Sequence, residues 1–331
     1  MPPTDGDLAA ALRGGSRRAL ARAVTLVEST RPDHREEAER LIERILPATG
    51  GATRIGITGP PGAGKSTFID RFGLDGIARG RQIAVLAVDP GSKRGGGAIL
   101  GDKTRMTELA RAPAAFIRPS SAGTQAGGVA RRTREAILVC EAAGFDTVLV
   151  ETVGAGQAET TVAEMVDMFL LILPPAAGDE LQGIKRGIIE LADLILVNKA
   201  DGELLEHSRR SAAEYANAVH LIRPALAEWQ VMVRAVSALT GDGVDAVWED
   251  VARFRTALEA SGAWARRRAA QAQAALWAEI GDGLLERFRG APGIAARLAK
   301  LEREVAGGKR TPASAARHLL ATFLGERSTH R

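Results

Sequence analysis

The stretch GPPGAGKS, Gly59 to Ser66, has the spacing Gly-x-x-x-x-Gly-Lys-Ser and stands between the β-branched run RIGIT and the helical STFIDRFGLDGIA. Glycines at those positions let backbone N–H groups curl around phosphate oxygens, while the lysine reaches the β and γ phosphates and the serine hydroxyl ligates Mg²⁺. Gly62, Ala63, Gly64, Lys65, Ser66 and Thr67 are therefore assigned to the phosphates of a nucleotide, with Ser66 also on the metal. A second turn, NKAD, Asn198 to Asp201, comes after the apolar run LILV. A carboxylate there accepts both hydrogens of the guanine edge, whereas adenine would leave it buried and unpaired, so Asp201 selects GTP over ATP. Asn198 braces the pocket and the Lys199 stem covers the base. Ser237, Ala238 and Leu239, after the last strand, supply a further backbone contact.

Two acidic residues also end apolar runs, Asp89 in VLAVDP and Glu151 in VLVETVG. A carboxylate beside the phosphates holds Mg²⁺ directly or through water. Glu151 opens E-T-V-G where most GTPases have D-x-x-G, which suggests an indirect or adjustable metal contact and leaves the Gly154 N–H for the γ phosphate. Between the two acids, GSKRGGGAILGDKTRM (Gly91 to Met106) is too glycine-rich for a rigid element and carries Asp102, Lys103 and Thr104; it reads as a switch loop ordered by γ phosphate and Mg²⁺. No glutamine other than Gln157 is placed to orient an attacking water, so intrinsic hydrolysis should be slow and need a partner.

These residues need a scaffold that brings strand ends together. From about residue 52 the chain alternates fully apolar runs (54–58, 83–88, 147–150, 168–173, 194–197 and 231–236) with helical segments, the pattern of a parallel sheet covered on both faces. Ligands bind beyond the carboxyl ends of such strands, where every residue named above falls. Residues 1–48 read as a helical extension, 49–262 as the nucleotide-binding domain and 263–331 as a helical arm with alanine-rich faces. With 331 residues, 45% of them hydrophobic, the chain can bury a full core. No apolar run approaches a membrane span and the N-terminus has no signal-type stretch, so a cytoplasmic protein with no membrane role is expected. The single cysteine, Cys140, reads as a core residue, and the five histidines form no metal-ligand spacing. A net charge of +4 without a dense basic block argues against nucleic acid. Only seven of the 44 basic side chains are lysine, and Lys65, Lys103, Lys185 and Lys199 all lie in these loops. An ammonium and a guanidinium are not interchangeable at a phosphate or a base.

With ILGDKTRM, ETVGAGQAE, GDELQGIKRGI and NKAD read together, the chain resembles the MeaB/ArgK family of P-loop GTPases, which includes the human methylmalonic aciduria type A protein; the likeness covers nearly the whole chain. The resemblance implies an α/β fold, a SIMIBI-like G domain with a mostly parallel central sheet, and a homodimer formed through the C-terminal helices. It implies a GTP- and Mg²⁺-dependent chaperone of adenosylcobalamin-dependent methylmalonyl-CoA mutase, which gates cofactor delivery and protects or reactivates the mutase. It gives the catalytic set as Lys65, Asp89, Asp102 and Glu151, with Asp89, Asp102 and Glu151 around the metal. The charged loop Pro174 to Lys185, which sequence physics alone reads as mobile, becomes an extra switch that contacts the mutase through Asp179, Gln182 and Lys185. Departures from the family pattern, Gly91-Ser92 after Asp-Pro and the segment SSAGTQAGG, bear on loop ordering and the hydrolysis rate. Competing expectations are service to another acyl-CoA mutase, a kinase passing the γ phosphate to a transport protein, and a metal-delivery GTPase.

Overall fold

The apolar runs form strands β1 (Thr53–Thr58), β2 (Ile83–Val88), β3 (Ala115–Arg118), β4 (Thr147–Thr152), β5 (Met168–Leu173), β6 (Leu194–Val197) and β7 (Met232–Ala235). They pair in the order β3-β2-β4-β1-β5-β6-β7, every pairing parallel. Six strands lie where the sequence puts them. β3 is not among the strands read from the sequence: it is a four-residue edge strand, Ala115–Arg118, whose three apolar residues are too few to show a strand period. This computed structural model describes residues 5–88, 106–119, 126–152, 154, 158–175, 186–220 and 226–325.

Helices α1 (Asp5–Arg13), α2 (Arg17–Val27) and α3 (Pro32–Ile45) precede the sheet; α4 (Lys65–Ala78), α5 (Ala126–Ala142), α6 (Ala158–Ala163), α7 (Arg186–Ile189), α8 (Leu205–Val219) and α9 (Val244–Ala260) flank its strands; α10 (Ala263–Gly290), α11 (Ile294–Ala306) and α12 (Pro312–Phe323) end the chain. Ser16 caps α2 by accepting from the Ala19 N–H, and Pro32 opens α3 at the one position where a missing N–H costs nothing. The chain divides into two compact units, Met1–Gln271 and Ala272–Arg331.

In the larger unit the sheet is the middle of three layers. One face, with Ala84, Leu86, Val148, Val150 and Phe169, packs on α1, α2, α3 and α5, so the N-terminal helices share the main core. The other face, with Ile55, Ile57, Val85 and Leu149, packs on α4 and α9. There Phe72 stacks on Trp248 at 4.0 Å between ring centroids, and the Trp248 indole N–H donates to the Phe72 carbonyl, fixing α4 against α9. A stacked aromatic pair of this kind adds about 0.5–1.5 kcal/mol beyond its buried area. It matters to function because α4 carries Lys65 and Ser66 in its first turn.

In the smaller unit α11 and α12 enclose Ile294, Leu301, Ala315 and Leu319, with Phe288 and Phe323 meeting edge to face at 5.4 Å. Leu276, Trp277, Ile280, Leu284 and Leu285 are exposed on α10, Trp277 at 72%. No described helix is long and apolar enough to cross a membrane.

Candidate functional site

β1 lies between β4 and β5, so the chain leaves β1 toward one edge, returns to β4 and then crosses to the other side. That reversal opens a crevice at the carboxyl ends of the central strands, the place where open α/β sheets bind ligands. The GPPGAGKS loop leaves β1 into this crevice and ends at the N-terminus of α4, whose first turn aims unpaired backbone N–H groups and the positive end of the helix dipole outward. Gly64, at the N-cap, has φ 87°, a left-handed conformation a side chain resists, and a Cβ there would sit 2.5 Å from Asn198 Nδ2.

Lys65 and Ser66 are both buried. The Lys65 ammonium donates to the carbonyls of Gly59 at 2.8 Å and Pro60 at 3.2 Å, folded back across the loop it belongs to. The Ser66 hydroxyl donates to Glu151 Oε1 at 3.0 Å, so the first turn of α4 and the end of β4 are joined by the two groups the sequence assigns to one metal. Gly154, at φ 79°, backs directly onto the Gly59 carbonyl; a Cβ would overlap that oxygen and stand 3.4 Å from Lys65 Nζ. Thr67 and Gly62 are exposed and Ala63 is buried.

The residues that the sequence assigns to the base converge from separate segments. Asn198 donates through Nδ2 to the Ala63 carbonyl at 2.8 Å and accepts at Oδ1 from the Ala238 N–H at 2.9 Å, tying the phosphate loop to the turn after β7. Asp201 Oδ2 accepts from the Ser237 hydroxyl at 2.5 Å, and the Ser237 oxygen in turn accepts from the Thr240 N–H at 3.0 Å. The sequence gives Ser237 only a backbone role; its hydroxyl orients the carboxylate, a role the Ser-x-x-Thr spacing of SALT permits. Lys199 is exposed and holds φ 64°, the only positive φ of any non-glycine among the described residues, while Leu239 is 76% exposed.

Asp89, Asp102, Lys103, Gln157, Asp179, Gln182 and Lys185 lie outside the described residues, as do the loops 91–105 and 176–185. Among the described residues no cluster of three or more His, Cys, Asp or Glu side chains could hold a metal. A Ser hydroxyl and a single carboxylate are hard oxygen donors of the number Mg²⁺ uses when nucleotide phosphates and water complete its shell. Two buried groups sit away from the crevice. Burial pushes the Cys140 thiol up, with Glu141 and Glu28 adding to the effect. Burial also raises the Asp193 carboxyl, against the opposing pull of Arg267 and the Phe169 N–H.

The sheet order, the Gly-Lys-Ser loop at its switch point and the Asn-Lys-Ala-Asp turn beside it define a P-loop GTPase. The family described as Methylmalonyl Co-A mutase-associated GTPase MeaB matches residues 20–293, and the chain belongs to it. A Caulobacter vibrioides protein named as a GTPase is 54% identical over 94% of this chain and 95% of its own. The mitochondrial methylmalonic aciduria type A homolog of Mus musculus is 47% identical over 93% of this chain and 77% of its own. Among solved structures, one described as an LAO/AO transport system kinase is 37% identical, covers 98% of this chain and 99% of its own, and superposes with a TM-score of 0.78.

Proposed function

We propose that this GTPase is the chaperone of an adenosylcobalamin-dependent acyl-CoA mutase, methylmalonyl-CoA mutase first, and that GTP binding and hydrolysis gate cofactor delivery and protect or reactivate the mutase. The family membership supports the partner. The observation that carries the nucleotide chemistry is the convergence of Lys65, Ser66, Glu151 and Gly154 at the N-terminus of α4.

In this reading Lys65 leaves the Gly59 and Pro60 carbonyls for the β and γ phosphates, and the N–H groups from Gly62 to Thr67 line the phosphate chain. Mg²⁺, where bound, neutralises the phosphate charge. Ser66 and Glu151 would hold it, and Asp89 and Asp102 are assigned to it as further carboxylates; the present Ser66–Glu151 hydrogen bond keeps both of those groups aimed at one point. Asp201, aligned by Ser237, takes the guanine edge, and Asn198 holds the phosphate and base halves of the site at fixed spacing. The Gly154 N–H and the loops 91–106 and 174–185 report the γ phosphate, and Asp179, Gln182 and Lys185 pass that state to the mutase. The exposed stripe Leu276, Trp277, Ile280 and Leu284, residues three and four apart on one helix face, suits a second copy of the chain and supports a homodimer.

Steady-state hydrolysis of GTP and ATP, with and without methylmalonyl-CoA mutase of the same organism, tests the proposal. A slow GTP-selective rate raised many-fold by the mutase is the expected result, and Lys185→Ala should blunt the activation while sparing the intrinsic rate. A rate indifferent to the mutase would remove that partner and turn the search to other acyl-CoA mutases.

A further inference from the structure

β1 and β4 lie side by side with Ile57 opposite Glu151, and one residue further on each strand ends in threonine. The Thr152 hydroxyl donates to the Thr58 hydroxyl at 2.7 Å, and both side chains are buried, at 0% and 1% exposure. Side chains alternate across a sheet, so this pair lies on the face opposite Ile57 and Glu151, in the layer that holds Val88 and Val150. Two hydroxyls are an unexpected choice there. Valine has the same shape, fits a parallel strand at least as well and leaves no polar group to satisfy.

The residues just beyond each threonine give the pair a use. Gly59 comes directly after Thr58, and its carbonyl accepts from Lys65 while Gly154 presses against it; Gly154 is two residues beyond Thr152. The hydroxyl pair therefore crosslinks the last strand residue before the phosphate loop and the last strand residue before Gly154.

We propose that Thr58 and Thr152 are positioning residues for the γ phosphate: their hydrogen bond sets the spacing between the phosphate loop and Gly154, and with it the preference for triphosphate over diphosphate. The inference rests on the γ-phosphate placement between Lys65 and Gly154 given under the proposed function. A diphosphate contacts only the phosphate loop, so its affinity is insensitive to that spacing. A triphosphate bridges both sides and registers it.

The test is titration of GDP and of a non-hydrolysable GTP analogue into the full chain and its Thr152→Val, Thr152→Ser and Thr58→Val/Thr152→Val variants, with single-turnover hydrolysis and thermal unfolding alongside. Losing one buried neutral hydrogen bond should weaken the analogue roughly five- to tenfold in Thr152→Val, with GDP within about twofold of the unaltered protein and single-turnover hydrolysis slowed in proportion. Thr152→Ser, which keeps the hydroxyl, should restore the preference. The double valine variant should recover stability but not preference, because packing is repaired and the crosslink is not. A preference unchanged in Thr152→Val, or one that merely tracks thermal stability across the variants, overturns the proposal alone. Equal binding of GDP and the analogue by the unaltered protein overturns the γ-phosphate placement and the proposal with it.

Discussion

Asn198 offers the sharpest quantitative test of how the two halves of the site are held together. Its amide is 2% exposed and spends both ends on backbone groups of other segments, the Ala63 carbonyl at 2.8 Å and the Ala238 N–H at 2.9 Å. Those groups belong to residues that are themselves 0% and 6% exposed, so Asn198→Ala leaves a buried acceptor and a buried donor unpaired. Each such group costs about 1–3 kcal/mol, so two of them give about 2–6 kcal/mol before relaxation. Water entering the space vacated by the amide recovers part of this, which places the expected loss at about 2–3 kcal/mol. Urea unfolding of the nucleotide-free protein should show that loss directly. If half of it falls on the spacing of the two loops, GDP should bind about tenfold more weakly, since about 1.4 kcal/mol is a factor of ten. Asn198→Asp is the informative companion, for it keeps an acceptor for Ala238 but turns a second acceptor toward the Ala63 carbonyl; it should be no better than alanine. A loss of stability below about 0.5 kcal/mol in Asn198→Ala, within the range of an ordinary surface substitution and with GDP affinity unchanged, would refute the clamp.

Three further outcomes are expected from groups outside the crevice. The folded chain raises the Asp193 carboxyl by burying it, so the native state binds that proton more tightly than the unfolded state. Stability therefore falls as pH rises from the ordinary aspartate range through the raised value, and Asp193→Asn should remove this slope from a series of urea midpoints. Cys140, fully buried with its thiol pushed up, should resist a thiol-specific disulfide reagent in the native protein and react on unfolding; rapid native reaction would contradict its place in the core. Trp277→Glu should shift a dimer to monomer in sedimentation while leaving intrinsic GTP turnover intact, and an unchanged oligomeric state would remove the α10 stripe as the contact.

Much of the site was legible because its chemistry is local. The Gly-Lys-Ser and Asn-Lys-x-Asp spacings name their residues, and uninterrupted runs such as MFLLIL announce strands buried on both faces. Pairings between distant segments were not legible. Ser66 and Glu151 were both assigned to one metal, but nothing in the sequence says that the Ser237 hydroxyl aligns Asp201, nor that the Thr58 and Thr152 hydroxyls touch. Each contact depends on strand register, which the sequence leaves open until the order β3-β2-β4-β1-β5-β6-β7 is known. β3 escaped notice for a different reason, since the three apolar residues before Arg118 are too few to show a period.

The position of β1 in that order has a consequence for synthesis. Its hydrogen-bonding partners are β4, beginning at Thr147, and β5, beginning at Met168, while the helices ahead of it pack on α5. A ribosome thus releases the phosphate loop long before any strand exists to hold it, and β1 keeps an open edge until half the chain has emerged. Pairings so distant in sequence are slow to close and leave unpaired strand edges exposed meanwhile. Nascent chains arrested before Met168 should accordingly remain open to protease between Gly59 and Lys65. Chains arrested after Ala260, with every strand and the α9 brace in hand, should be cut there only slowly.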